Sequence, residues 1–162
     1  MDHLWAPWRG DYIKEPKSGE CIFCTMPEAG DDEASLIVWR GTHCYVMLNA
    51  YPYNNGHLMV SPYAHIDSIE DFDQAAAGEL MALTRRGVAA LRVVYDPGGF
   101  NIGANQGKEA GAGFGDHFHM HVVPRWGGDT NFMPVIASTR VLPESLSQSY
   151  AAIRAEFERQ EA

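Results

Sequence analysis

The chain has 162 residues, 46% of them hydrophobic and 20% charged, with a net charge of −9. That is the make-up of one soluble domain able to bury its own core, and the acidic balance excludes a broad nucleic-acid-binding surface. No apolar run is long enough to span a bilayer, and MDHLWAPWRGDYIKEP lacks the basic-then-apolar order of a signal peptide. The expectation is a cytoplasmic protein with neither a membrane nor a nucleic acid as partner. Anionic small molecules stay open as substrates, because a pocket's local field can oppose the net charge.

In chain order, residues 1–20 read as an aromatic arm carrying Trp5, Trp8 and Tyr12. ECIFCTMPEAGDDEA follows as a short knuckle and an acidic loop. Three cysteines make no disulfide framework here, so Cys21 and Cys24 read as thiols or metal ligands. Leu36 to Arg40 and Cys44 to Leu48 flank Gly41-Thr42 as a hairpin, and His57 to Pro62 reads as a third strand. Asp71 with Gln74 suggests a capping box. It opens a helix in which Ala77, Leu80, Thr84, Val88, Leu91 and Tyr95 recur at helical spacing, ended by Pro97-Gly98-Gly99. Phe100 to Ala104 reads as a strand, then NQGKEAGAGFGD as a glycine-rich loop, then His117 to Val123 as another strand. Pro143 opens a last helix with Leu146, Tyr150, Ile153 and Phe157 on one stripe. One helix crossing between hairpin-like strand pairs predicts an α+β domain with a mostly antiparallel sheet. The glycine-rich loop lacks the Walker pattern and precedes a strand, which also excludes a dinucleotide fingerprint.

Within GDHFHMHVVPR, three of the chain's seven histidines alternate: His117, His119 and His121. On a strand they share one face, roughly 6–7 Å apart, while Phe118, Met120 and Val122 line the other. Chance yields such a triplet about once in a hundred shuffles of this composition, and a strand gains no packing from three polar rings on one face. Two chemistries use such a face: metal ligation by neutral imidazoles, and nucleophilic catalysis with neighbours that stabilise anionic oxygens. Positions four apart lie roughly 13 Å from each other along a strand, too far to chelate together, so at most two of the three share a metal.

His117 to Arg125 resembles the H-φ-H-φ-H-φ-φ signature of the histidine triad (HIT) superfamily of nucleotide hydrolases and transferases. NGHLMVSPYAH, Asn55 to His65, resembles the family's G-H-x-L-V-x-P-x-x-H segment, and CIFC resembles the N-terminal knuckle of many bacterial members. The LWAPWR arm and the tail RWGGDTNFMPV are similar to a branch that includes diadenosine tetraphosphate phosphorylases. The resemblance implies a HIT-like fold of about five strands, a long central helix and a C-terminal helix. It divides the chain into an arm at 1–20, a HIT domain at 21–126 and an extension at 127–162.

It also implies roles. His119 would attack the α-phosphorus of a nucleotide and form a nucleotidyl-histidine, its Nδ1–H held by a carbonyl. His121 would donate to the phosphate oxygens, and His57 would support the phosphate end. Cys21, Cys24, His65 and His117 match the ligands of a structural zinc in zinc-bearing members. Asn105, with Gln106 as alternative, would contact the leaving group, and the backbone of Gly111 and Gly113 would approach phosphate, since the usual G-Q-[ST] reads Gly111-Ala112-Gly113 here. Asn49 is a candidate for a ribose hydroxyl, and Arg125 for phosphate or for an acidic neighbour. Leu36, Val46, Leu48 and Ile66 are candidates for a base slot, though they suit a core equally.

The expected activity is cleavage of dinucleoside polyphosphates by a homodimer or a higher assembly, with water or phosphate as acceptor. A phosphoramidate hydrolase, a metalloenzyme with an open site, and a nucleotide- or partner-binding module with vestigial catalysis remain alternatives.

Overall fold

A computed structural model describes residues 19–107, 109–129 and 143–161. The aromatic arm at 1–18 and much of the RWGGDTNFMPV tail lie outside the described residues. The elements are α1 (Ile22–Glu28), β1 (Ile37–Arg40), β2 (Cys44–Leu48), β3 (Leu58–Pro62), α2 (Gln74–Tyr95), β4 (Gly99–Gly103), β5 (Met120–Arg125) and α3 (Leu146–Arg159). The strands form one sheet in the order β1-β2-β3-β5-β4, every pair antiparallel. This is the α+β architecture expected from the element pattern.

Both faces of the sheet are covered, which is why β2 and β3 are buried at every position. One face presents Val46, Leu48, Leu58, Val60 and Val122 to Leu80, Leu83 and Leu91 of α2 and to Tyr150, Ile153 and Phe157 of α3. Phe118 and Met120 join this side, so the alternation along the histidine segment holds. The opposite face presents Tyr45, Met47 and Met59 to Phe23 of α1. The Tyr45 hydroxyl donates to the Phe23 carbonyl at 2.8 Å and pins α1 to the sheet.

Four local expectations need correction. The knuckle is helical, with Cys21 at the cap position of α1 and Cys24 inside it; α1 is short, contains Pro27 and has no side-chain cap, so nothing in its pattern announced it. The cap of α2 is Asp73, whose side chain accepts from Ala76 N at 2.8 Å, because Asp71 is spent in a 3₁₀ turn at Ile69–Asp71. The cap of α3 is Ser145, in a capping box with Gln148, two residues beyond Pro143. And β5 starts at Met120, not His117. Phe118 N donates to Ile66 O at 2.6 Å and Phe118 O accepts from Ser61 Oγ at 2.9 Å, so this stretch is held by a loop and a side chain, not by a ladder.

The apolar stripe of α3 is not left for a partner subunit. It is instead consumed inside the chain, with Ile153 and Phe157 at 0% exposure. The base-slot candidates Val46 and Leu48 are core residues, and Leu36 packs against the same cluster.

Glu79 of α2 fastens the β1–β2 hairpin. Its carboxylate accepts from Thr42 N at 2.8 Å, from Cys44 N at 2.7 Å and from His43 N. Burial pushes this carboxyl up, but the three N–H donors outweigh it and hold it below its ordinary value of 4.5. A lowered folded pKa gives stability that is present above the unfolded value and is lost as pH falls through the folded one. Replacing Glu79 by Gln should therefore cost on the order of 2 kcal/mol at pH 7. Urea unfolding should show the gap to wild type narrowing as pH drops below 4.5; a gap independent of pH would refute the assignment.

Candidate active site and metal cluster

Two groups of side chains meet on the α1 face of the sheet. In the first, Cys21 and Cys24 of α1 converge with His65, from the loop after β3, and His117. Their ligand atoms all lie within 4.8 Å of one another. Cys21 Sγ is 3.3 Å and Cys24 Sγ 3.5 Å from His117 Nδ1; Cys24 Sγ is 3.4 Å and His117 Nδ1 3.3 Å from His65 Nδ1. A tetrahedral zinc with Zn–S of about 2.3 Å and Zn–N of about 2.05 Å requires S···N edges of about 3.6 Å and N···N edges of about 3.3 Å. The donor set and its spacing fit that ion.

The protonation of His117 agrees with ligation. His117 Nε2–H donates to Pro62 O at 3.0 Å, which leaves the Nδ1 lone pair facing the sulfurs. Burial, and then the neighbouring His65 and His119, push His117 down and favour the neutral ring that binds metal. Burial, and then Cys21, push the Cys24 thiol up to about 11. A thiol held protonated in this way becomes a thiolate against a bound cation.

The second group is His57, His119 and His121, exposed by 0%, 6% and 8%. His119 Nδ1–H donates to the carbonyl of His117 at 2.9 Å, as expected of a nucleophile whose Nε2 must keep its lone pair. His57 sits at the start of β3. Its Nδ1 accepts from Tyr53 N at 3.1 Å, so its proton is on Nε2, which faces His121 Nδ1 at 2.9 Å. His121 must then accept at Nδ1 and carry its own proton on Nε2. The relay Tyr53 N–H, His57, His121 thus makes His121 a donor at Nε2, while His119 beside it is an acceptor at Nε2. Their rings meet edge to face at 4.8 Å. Nearly dry surroundings strengthen any contact these nitrogens make with an anion.

The loop leading into His57 is clamped by two adjacent asparagines. Asn54 donates to Asp129 Oδ2 at 2.8 Å and to Pro124 O at 3.2 Å, and Asn55 donates to Glu144 at 3.3 Å. Gly56 turns the chain at φ +73, and a Cβ there would lie 2.7 Å from the Tyr95 ring.

Other candidates stand as follows. Asn49 Oδ1 accepts from Tyr51 N at 2.8 Å in a turn. Gln106 reaches Ile69 N at 3.2 Å and Ser68 Oγ at 3.0 Å, tying its loop to the 3₁₀ turn, whereas Asn105 is half-buried. Gly111 is left-handed at φ +82, and Gly113 is half-buried. Arg125 holds the Asp129 carboxylate with two bonds, at 2.6 and 3.0 Å, and reaches Asn101 Oδ1 at 2.6 Å. That pairing pulls Asp129 down to about 2, and gives Arg125 the acidic neighbour its sequence context allowed for. Sequence reading missed Phe23, whose ring stacks on His119, and Tyr53. Phe23 lies inside the C-x-x-C motif, where an aromatic reads as core; a main-chain donor such as Tyr53 N leaves no signal in a sequence.

With this geometry in hand, the comparisons with known proteins define the class. Residues 32–128 match the HIT domain. A relative from Mycobacterium tuberculosis named AP-4-A phosphorylase is 40% identical over 169 residues, covering 99% of this chain and 86% of its own. Protein hit of Bacillus subtilis is 30% identical over 112 residues, covering 69% of this chain and 75% of its own. Among solved structures, a Zn-bound histidine triad family protein from Mycobacterium smegmatis superposes with a TM-score of 0.70 at 25% identity, covering 88% of this chain and 96% of that one. The chain belongs to the HIT family.

The tautomers are directly measurable. At mildly alkaline pH, long-range ¹H–¹⁵N correlation spectra should show His119 protonated on Nδ1 and both His57 and His121 protonated on Nε2. A His121 proton on Nδ1 would reverse the relay.

Proposed function

We propose that this protein cleaves dinucleoside polyphosphates at the α-phosphorus through a nucleotidyl-His119, with inorganic phosphate as the acceptor. The observation that carries the reading is the opposed pair of imidazoles, one a held lone pair and the other a held N–H, side by side in a nearly dry site. The substrate class and the acceptor are supported by the near full-length similarity to the M. tuberculosis phosphorylase.

In the first step the His119 Nε2 lone pair forms a bond to the α-phosphorus. The bond from that phosphorus to the bridging oxygen breaks, and the leaving nucleotide takes the electron pair. Nδ1 keeps its proton on the His117 carbonyl, so the substituted ring is cationic. His121 Nε2–H donates to the non-bridging oxygens, whose charge rises in the transition state. In the second step a phosphate oxygen attacks the same phosphorus, the P–N bond breaks, and neutral His119 returns with a nucleoside diphosphate as product. His57 acts through His121, fixing its donor direction.

For the remaining residues, Asn105 is assigned to the leaving group, the backbone of Gly111 and Gly113 to phosphate and Asn49 to the ribose, while Gln106 and Arg125 support the surrounding loops. Cys21, Cys24, His65 and His117 would hold zinc, which neutralises two thiolates and cross-links α1 to the sheet. With four protein ligands it has no open position for water, which makes it structural. No helix among the described residues is long and apolar enough to cross a membrane. We assign the protein to the cytoplasm and to a homodimer, the outer edge of β4 with half-exposed Ile102 being a surface a second copy would cover.

Two experiments test this reading. Intact mass spectrometry after brief mixing with diadenosine tetraphosphate should show an added adenylyl mass in wild type and none in His119→Ala, with turnover falling about 10⁴-fold or more. Chromatography should find ADP only when phosphate is present; AMP formed without phosphate would make the protein a hydrolase, and no adduct with either product would sink the enzyme. Elemental analysis should find about one zinc per wild-type chain and none in Cys24→Ser, with a melting temperature lower by several degrees. Zinc kept by Cys24→Ser would move the metal elsewhere.

A further inference from the structure

Phe23 lies between the two cysteines of the metal cluster, two residues after Cys21 and one before Cys24. Its side chain is 1% exposed, and its ring stacks on that of His119, with centroids 4.6 Å apart and planes at 20°. It also lies 5.3 Å from the His117 ring, while Phe114 closes on it edge-on at 5.9 Å. Its main chain is fixed as well, since the Phe23 carbonyl accepts the Tyr45 hydroxyl at 2.8 Å.

Besides the edge-on His121 ring, two supports of the His119 ring end on the metal cluster. One is in the plane of the ring: the hydrogen bond from Nδ1 to the carbonyl of His117, itself one of the four clustered ligands. The other is on the face of the ring: Phe23, carried by the helix that supplies both cysteines. The hydrogen bond alone leaves the imidazole free to tilt about the Nδ1···O axis, and a flat partner stacked on its face removes that freedom.

We propose that Phe23 is a positioning residue for the nucleophile, and that through it the metal cluster sets the aim of His119 without contacting substrate. The inference rests on the covalent reading above. The stack also suits the intermediate, because nucleotidylation at Nε2 with Nδ1 still protonated makes the ring cationic and an electron-rich face favours a cation. Phe23 thus acts on the covalent step more than on substrate capture.

The test uses the zinc-loaded full-length protein, with Phe23→Leu and a site-specific series replacing Phe23 by phenylalanines of rising ring fluorination. The series keeps the shape of the side chain while draining charge from its face. Phe23→Leu should retain zinc by native mass spectrometry and leave KM within about threefold, while slowing formation of the adenylyl adduct about 10- to 100-fold. Along the fluorinated series the adduct rate should fall step by step. A rate within twofold of wild type in zinc-loaded Phe23→Leu overturns the proposal, as does a flat fluorinated series. A substrate-free readout separates this from failure of the enzymatic reading: His119 ring protons should be shifted upfield by the stacked Phe23 ring, and should lose that shift in Phe23→Leu and on chelation of zinc. If wild type forms no adduct but shows that shift and its loss, the chemistry falls and the positioning stands. If the shift is absent or survives chelation, the link from metal to nucleophile falls.

Discussion

The site depends on the double use of His117. Its ring gives Nε2–H to the Pro62 carbonyl and Nδ1 to the cysteine cluster, while its own carbonyl takes the proton of His119. A strand alone could not aim an imidazole so closely, because side-chain torsions at the end of a ladder are free to turn. Here the residue that orients the nucleophile is itself held from three directions. The neighbouring relay follows the same logic with reversed polarity: a main-chain N–H at Tyr53 sets His57, and His57 sets His121. Two chemically identical rings four to five ångströms apart thus become an acceptor and a donor by nothing more than what each meets at Nδ1.

Most of the fold was legible because each strand and long helix repeats its apolar positions with one period. The run from Ala77 to Tyr95 and the alternation from Phe118 to Val122 are examples, and both pack as their patterns imply. What escaped was local competition. Asp71, with Gln74 three residues on, carries the capping-box pattern, yet the chain caps α2 with Asp73 because Asp71 belongs to a turn. The segment α1 carries no periodic signal; it is helical because the sheet face and the cysteine cluster hold it there. The histidine segment was placed on a strand three residues too early, since its hydrogen bonds go to Ile66 and Ser61.

The candidate site divides in a similar way. Residues fixed by a short motif, namely the three alternating histidines, His57, and the C-x-x-C pair with its two histidines, come together in space. Candidates taken from loops were harder to place. Gln106 and Arg125 have partners within the protein that no local pattern encodes, 38 residues away in the case of Ser68 and 24 in that of Asn101. Phe23 was passed over because an aromatic beside a cysteine ordinarily means core; only the 4.6 Å stack on His119 gives it a second meaning.

The placement of α3 carries a consequence for folding. Phe157 stacks on Trp39 at 6.0 Å, and Arg86 of α2 lies 4.3 Å over the same Trp39 ring while its guanidinium donates to Phe157 O. The flank of the sheet at β1 is therefore sealed by an element from far along the chain. Without α3, Trp39 would lose the ring stacked on it and the apolar cluster beneath would lose Tyr150, Ile153 and Phe157. Closure of this flank needs a contact spanning well over half the chain, a class of contact that costs more loop entropy to form than a local one.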